Sequence, residues 1–318
     1  MQETSKEISS KKYRLITRSD MDGIICAVML QELGIIDDIL FVHPKDMQDG
    51  KIDVTDRDIT TNLPYVEGAY LVFDHHSSEE TRIGGKKDNY IIDPNAPSAA
   101  RVVYDYYGGA ERFVNISEEM LVAVDKIDSA DLTEEEILNP DKWIILGFLM
   151  DSRTGLGRYH HFRISNYDLM MQLINELSDF KSIDYIMELP DVKERVDLYR
   201  EHAELSKEQI KRCASVHKNL VTLDLRPEEM IYTGNRFMIY ALFPDTNISM
   251  HIMWGRQKQN TVFAVGKSIT NRTSKTNVGE LMLKYGGGGH VAAGTCQIGN
   301  DTADISMLEL INTINSDG

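Results

Sequence analysis

The chain reads as an α/β protein in two parts. A mostly parallel N-terminal sheet flanked by helices is followed by a linker helix and a smaller C-terminal α/β domain with a mixed sheet. Three observations predict this. The first half alternates short apolar strands with helical patterns, as a parallel sheet covered by helices requires. Lys193–Ala214 is one long, highly charged helical pattern, suited to a linker. Beyond Asn219 strand-length apolar runs return, are interrupted by Gly286–Gly289 and close on a helical pattern over Ile305–Ile314. A length of 318 residues is ample for two cores. The expected division is 1–190, a linker over 191–215, and 216–318.

The elements follow in order. Tyr13–Thr17 reads as a strand and Ile24–Leu33 as a helix stopped by Gly34. Strands are predicted at Ile39–Val42, closed by Pro44, at Asp58–Thr61, at Ala69–Phe73 and at Tyr90–Ile92. Ser98 caps a helix that runs to Tyr107 and stops at Gly108-Gly109. Helical patterns cover Ser117–Val124 and Asn166–Leu177, and Thr133 with Glu136 has capping-box spacing. Strands are predicted again at Leu220–Leu223, Phe237–Leu242, Ser249–Trp254 and Thr261–Val265.

Composition excludes several classes. No stretch approaches the roughly 20 apolar residues of a membrane helix, so no membrane partner is expected. Met1–Lys12 is polar, lacks the apolar core of a secretory signal, and is expected to be a disordered tail. Cys26, Cys213 and Cys296 are far apart and form no CxxC pair, which argues against a zinc ribbon or disulfide framework and for a reducing cytoplasm. Fifty acids against 34 bases give a formal charge of −16. That field repels long nucleic acid but not a small phosphorylated ligand held in a cleft.

Three polar groups each follow an apolar strand: Asp20 and Asp22 in Arg18-Ser19-Asp20-Met21-Asp22-Gly23, then Asn62, then Asp74-His75-His76. Ligands of open parallel sheets bind outside the carboxyl ends of the strands. If the strands are neighbours, these groups share one edge, and carboxylates with imidazole suit a divalent cation that also touches phosphate. Singly, each has a plainer reading. DxDG is often a turn, and a His-His pair is usually surface. A fourth piece, Asp125-Lys126-Ile127-Asp128-Ser129-Ala130-Asp131, spaces three acids by three along a helix or its end. It is either a solvated helix end or one more carboxylate for the ion.

Two further clusters suit anions. Arg153, Arg158 and Arg163 with His160 and His161 fall within eleven residues, and Arg forks match phosphate. A surface turn with structural ion pairs is the competing reading. Gly286-Gly287-Gly288-Gly289-His290 lies between Leu281–Tyr285 and the apolar Val291-Ala292-Ala293, an odd place for a flexible linker, and suits an anion-cradling loop.

Asp20-Met21-Asp22-Gly23 followed about fifty residues on by Asp74-His75-His76 resembles the first and third motifs of the DHH phosphoesterases. Gly286–His290 is similar to the motif of their associated C-terminal domain. That family includes RecJ-type exonucleases, oligoribonuclease-phosphatases, cyclic dinucleotide hydrolases and exopolyphosphatase-like proteins. The resemblance implies a metal site of Asp20, Asp22, His75 and one acid near Asp128, with Asp74 orienting it and His76 facing the phosphate. It implies manganese as cofactor, or magnesium, as one or two ions. Gly287, Gly288, Gly289 and His290, and in that context Arg153, Arg158, His160 and His161, would hold the substrate.

The chain departs from the family pattern in two places. Arg18 stands where many members carry the His of HxDxDG, and Asn62 matches an aspartate, with Asp58 a less comfortable match. Arg18 could then act as a fixed positive charge. The expected function is metal-dependent hydrolysis of a phosphoester or phosphoanhydride bond, with polyphosphate, a short oligonucleotide or a phosphorylated small molecule as partner and an exopolyphosphatase-like substrate favoured. A homodimer is admitted. The competing reading is a degenerate member that binds a phosphorylated ligand without turnover. A nucleic-acid-binding module stands third because of the charge.

Overall fold

The structure, a computed structural model, describes residues 11–76, 79 and 82–318. Of the tail expected over Met1–Lys12, all but Lys11 and Lys12 lies outside the described residues. The chain divides into two compact units. The first comprises residues to Asp131, Asp141–Ser152 and Leu156–Val196. The second comprises Leu132–Pro140, Arg153–Gly155 and Asp197–Gly318. The division falls inside the helix Pro190–Cys213 rather than at either end of it.

The first unit is built on a five-stranded sheet of β1 (Tyr13–Thr17), β2 (Ile36–Phe41), β3 (Asp58–Thr61), β4 (Leu71–Asp74) and β5 (Tyr90–Ile92). Their spatial order is β2-β1-β3-β4-β5, and every pairing is parallel. In such an order the strand sequence reverses direction at β1 and β3, and ligands bind at that switch point, beyond the carboxyl ends. Leu15, Ile16, Ile59, Val72 and Phe73 are fully buried in the sheet. The helix Met21–Glu32 is buried along almost its whole length, from Met21 to Leu30. It is apolar all round because it lies inside the unit rather than on its surface.

Asp58 opens β3, the end away from the carboxyl edge. Arg14 and the Thr55 amide hold its carboxylate there. Asn62 follows the other end of the same strand, so of the two matches weighed for the second motif only Asn62 stands at the ligand edge.

The second unit carries a six-stranded sheet of β6 (Ala214–His217), β7 (Leu220–Asp224), β8 (Ile248–Trp254), β9 (Thr261–Lys267), β10 (Gly288–Gly289) and β11 (Ala293–Ile298). The order is β10-β11-β9-β8-β7-β6. It is mixed because β7 and β8 run parallel while the other pairs are antiparallel. One face buries Leu220, Ile248, Met250, Ile252, Phe263 and Val265 against apolar residues of the helices Val278–Leu283 and Ala303–Asp317.

One predicted strand is a helix. Phe237–Leu242 contains the helix Met238–Leu242, begun where the Asn235 side chain accepts from the Phe237 amide. A five-residue apolar run has no periodicity that separates a buried helix from a strand. Strands β6, β10 and β11, and the helices Pro44–Gln48 and Lys142–Met150, were not predicted.

Candidate metal centre

After Thr17 the chain turns into the helix Met21–Glu32. Asp20 is its N-cap, and its Oδ1 accepts from the Gly23 amide at 3.1 Å. Gly23 is not here for a left-handed turn. A Cβ on it would sit 2.1 Å from the Arg18 carbonyl oxygen and 2.7 Å from Thr17 Oγ1. The close return of the strand end over the first helical turn demands a residue without a side chain.

Asp22, in that first turn, is 2% exposed. Its Oδ1 accepts from the Ala100 amide at 2.7 Å and its Oδ2 from the Ala99 amide at 3.0 Å. These are the first amides of the helix Ala99–Tyr106, capped by Ser98. Helix-start amides and their dipole favour a carboxylate and fix its plane.

Asp74 ends β4 fully buried. Its Oδ1 accepts from the His75 amide at 2.8 Å and from His76 Nδ1 at 2.7 Å, and its Oδ2 from the Tyr90 hydroxyl at 3.0 Å. Asp74 therefore positions the two histidines.

His75 Nδ1 lies 3.2 Å from the Ala96 carbonyl, which can only accept, so Nδ1 carries a proton. Its Nε2 is turned to Asp128 Oδ2 at 2.9 Å. In a neutral ring these two atoms face each other as acceptors, an opposition that a proton or a metal ion relieves. Asp128 ends the helix Glu118–Asp128. Asp125, three residues earlier, is engaged by Ser98 Oγ at 2.7 Å and by Arg101 Nε at 3.0 Å. Of the two, Asp128 is the acid at the ligand edge.

Asp22, His75 and Asp128 each offer one donor atom, and the three atoms lie within 4.8 Å of one another. Two oxygens and one imidazole nitrogen are a donor set for manganese, magnesium or zinc. A buried acceptor lies beside Asp20. Asn62 has φ 54° and is 1% exposed; its Nδ2 donates to Asp20 Oδ1 at 3.2 Å, and its Oδ1 has no hydrogen-bond partner. An orphaned buried oxygen is costly unless something electropositive approaches it. On these observations the residues fit a divalent ion.

Asp20 does not join the three donors. Arg18 Nε pairs with its Oδ2 at 2.9 Å, while Gly23 and Asn62 take its Oδ1. A guanidinium and two N–H donors engage both oxygens of the carboxylate that the resemblance placed on the ion.

The electrostatics follow the same grouping. Burial, then the nearby Asp128, pushes Asp22 up to about 7. Burial alone would lower His75, but Asp128 outweighs it and raises the imidazole to about 9. Burial likewise opposes Asp128 ionisation, yet His75 holds it below the usual carboxylate range. Burial raises Asp20 despite Arg18.

The remaining expected residues have definite places. Arg158, at the end of a short 3-10 turn, and His160 and His161 beyond it belong to the first unit, and all three are exposed. Arg163 is taken by Asp191, with Nε–Oδ1 at 2.8 Å, and is a structural ion pair. Arg153 belongs to the second unit and is exposed. In the glycine run, Gly288 and Gly289 form β10 against Thr295 and Gly294. A Cβ on Gly287 would sit 2.1 Å from the Thr295 carbonyl oxygen, whereas one on Gly288 would meet nothing within 4 Å. Part of the run is therefore needed for close backbone packing. His290 donates its amide to the Ala293 carbonyl at 2.7 Å.

Sequence reasoning missed the Ala96 carbonyl, the Ala99 and Ala100 amides and the Tyr90 hydroxyl. The legible signal was Pro94-Asn95-Ala96-Pro97-Ser98, a rigid turn into a capped helix, but nothing in it shows which strand edge it faces.

No protein-family model matches the chain, and a search of curated proteins gave no match. Among solved structures it is similar to a pGpG-specific phosphodiesterase, PggH, from Vibrio cholerae. Identity is 60%, covering 96% of this chain and 100% of that one, with a TM-score of 0.83. It also shares its fold with an exopolyphosphatase-related protein from Bacteroides fragilis, at 14% identity over 95% and 91% of the two chains and a TM-score of 0.50. RecJ from Thermus thermophilus, determined in complex with Mn2+, matches at 12% identity over 96% of this chain and 52% of that one, with a TM-score of 0.50. With two acidic donors and a histidine gathered at the carboxyl edge of a parallel sheet, and a phosphodiesterase 60% identical along its whole length, the chain belongs to the DHH family of metal-dependent phosphoesterases.

Proposed function

We propose that this enzyme hydrolyses the phosphodiester of a short 5′-phosphorylated dinucleotide, pGpG being the first candidate. The observation that carries the reading is the 60% identity, over 100% of its length, to a phosphodiesterase specific for pGpG. The polyphosphate lean of the sequence reading gives way to a dinucleotide here, because the exopolyphosphatase-related structure is only 14% identical and speaks for the fold alone. The chain is proposed to work in the cytoplasm; among the described residues no helix is long and apolar enough to cross a membrane.

In this reading Asp22, His75 and Asp128 hold the ion, manganese before magnesium. A divalent ion so held polarises phosphoryl oxygens and lowers the pKa of water. The Ala99 and Ala100 amides keep the Asp22 carboxylate in one orientation. The Ala96 carbonyl keeps the His75 ring turned so that Nε2 faces the donors. His76 donates Nδ1–H to Asp74, which fixes the orientation of the ring. With its side chain one-third exposed (33%), His76 is proposed as the general acid for the leaving 3′ oxygen. Arg153, Arg158, His160 and His161, and Gly287, Gly288, Gly289 and His290, are proposed to bind the substrate's remaining anionic groups.

Arg18 and Asn62 raised a binding-only reading. The gathered Asp22, His75 and Asp128 favour turnover instead. The test is purified protein with MnCl2 and pGpG, followed by chromatography. Release of two GMP per pGpG is expected. No GMP, or faster release of phosphate from polyphosphate, overturns the substrate assignment.

A further inference from the structure

We propose that this centre holds a single divalent ion, and that the Arg18 guanidinium supplies the second positive charge, by contacting the non-bridging oxygens of the scissile phosphate. The inference deepens the function proposed above and rests on its metal site.

Two-ion phosphoesterase centres keep their ions about 3.5–4 Å apart, so carboxylates must serve both. Among the described residues the donors that converge are three, Asp22, His75 and Asp128, enough for one ion. The next carboxylate in reach, Asp20, is occupied: Arg18 lies on one oxygen at 2.9 Å, and two N–H groups lie on the other. Asn62, beside it, is an amide and brings no negative charge to offset a second dication. Nor does Arg18 make way, since a guanidinium keeps its proton in proteins. It is surrounded by the opposite charges of Asp20, Asp128, Asp22 and Asp151, which hold it in place.

Arg18 has capacity left for a substrate. Its Nε is committed to Asp20, and no described residue accepts from its terminal nitrogens. The side chain is 29% exposed, and the two terminal nitrogens form the remaining edge of the fork. That edge presents parallel N–H donors, whose geometry matches two phosphoryl oxygens. Asp20 fixes the guanidinium, and with Asn62 and Gly23 forms its support.

The experiment counts ions without substrate and then measures turnover. Metal-stripped wild-type protein is loaded with MnCl2, freed of excess and assayed for manganese by mass spectrometry and by electron paramagnetic resonance. One ion per chain and the spectrum of isolated Mn2+ are expected. Two ions per chain, or a spin-coupled pair, overturn the proposal. Arg18→Gln is expected to keep its one ion and its melting temperature, while kcat falls on the order of 100-fold or more, as when an anion-stabilising donor is lost. Arg18→Lys should recover part of the loss. An unchanged kcat in Arg18→Gln overturns the catalytic role, and loss of the ion from that variant overturns it too, since Arg18 would then be holding the centre together. Bis(p-nitrophenyl) phosphate is run beside pGpG. Cleavage of the former alone removes the dinucleotide assignment and leaves the Arg18 test intact, whereas a wild-type chain that takes up no manganese sinks both.

Discussion

Replacing Gly23 with Ala tests the claim that the strand-to-helix return, rather than a flexible turn, places Asp20 and Asp22. The added Cβ would stand 2.1 Å from the Arg18 carbonyl oxygen and 3.0 Å from its carbon. Carbon–oxygen contact becomes ordinary only near 3.4 Å. One backbone segment must therefore retreat by more than ~1 Å, and neither is a side-chain end that can swing aside. Overpacking of this kind costs about 1–3 kcal/mol. Ala in place of Gly in a helix returns up to ~1 kcal/mol. With the full return the net loss is up to about 2 kcal/mol, a melting shift of up to roughly 8 °C for a unit of this size. Activity should suffer more than stability, because a displacement of ~1 Å in a catalytic constellation can cost on the order of 100-fold in rate. Gly85→Ala is the control, since a Cβ there meets nothing within 4 Å. Scanning calorimetry and kcat/KM on pGpG read the two effects. A Gly23→Ala enzyme with the melting temperature and kcat/KM of the Gly85→Ala control would refute the reasoning.

Other consequences follow from the same geometry. Metal-free protein should lose stability as pH rises. The share from His75, whose pKa is raised from 6.5 to about 9, is complete below 6.5 and lost through about 9; the share from Asp22, raised from 3.8 to about 7, is complete below 3.8 and lost through about 7. Manganese takes the place of these protons, so the gap between loaded and stripped melting temperatures should widen from pH 6 to 9; a gap that stays constant counts against His75 and Asp22 as ligands. Removing the ion with a chelator should abolish turnover and leave the fold intact, with activity restored by MnCl2; full activity in the chelator contradicts the metal site. In the second unit, Asn235→Ala strips partners from the buried Ile137 carbonyl and Tyr199 hydroxyl, bonded at 2.9 and 2.8 Å. The expected loss is about 1–3 kcal/mol, read by denaturant unfolding, and a change under ~0.5 kcal/mol would mean those groups find other partners. Gly287→Ala forces a Cβ to 2.1 Å from the Thr295 carbonyl and 2.6 Å from Cys296 Cβ; it should destabilise the second unit and leave the manganese content of the first unchanged.

What the sequence made legible was set by how local the signals are. Strands at Tyr13–Thr17, Asp58–Thr61 and Tyr90–Ile92 coincide with the structure because short apolar runs bounded by polar breaks leave little choice of ends. Asp22 and His75 stood out in the sequence because each follows such a strand, and the fold brings them together with Asp128. The outcome at Asp20 was not legible, because its fate depends on Arg18 and Asn62, one two residues before it and the other 42 residues after it. The choice between Asp125 and Asp128 was open for the same reason: only the position of Arg101 and Ser98 decides which acid is occupied. The helix Lys142–Met150 escaped prediction because it is buried along its length from Trp143 and offers no polar face to mark its period. Its Gly147 lets it approach the site. A Cβ there would lie 2.3 Å from Ile127 Cδ1 and 3.0 Å from Met21 Sδ, next to Asp128 and Asp22 in the chain.

The three donors come from three distant parts of the chain, yet one short segment orients two of them. Between Asp93 and Ala100 the backbone supplies the carbonyl that turns His75 and the two amides that hold Asp22. Ser98, within it, both caps the helix that owns those amides and bonds Asp125, one turn before Asp128. Backbone groups at a rigid Pro-bounded turn and a helix start lose little entropy on being ordered, because they are ordered already by the fold. The donors are therefore fixed before an ion arrives, and binding need not organise them. The price of that fixation appears in the metal-free state, where the Asp22 carboxyl and the His75 imidazole keep protons they would otherwise lose. An arrangement that strains without an ion and relaxes with one is what a metal centre requires and what a structural ion-pair network has no reason to build.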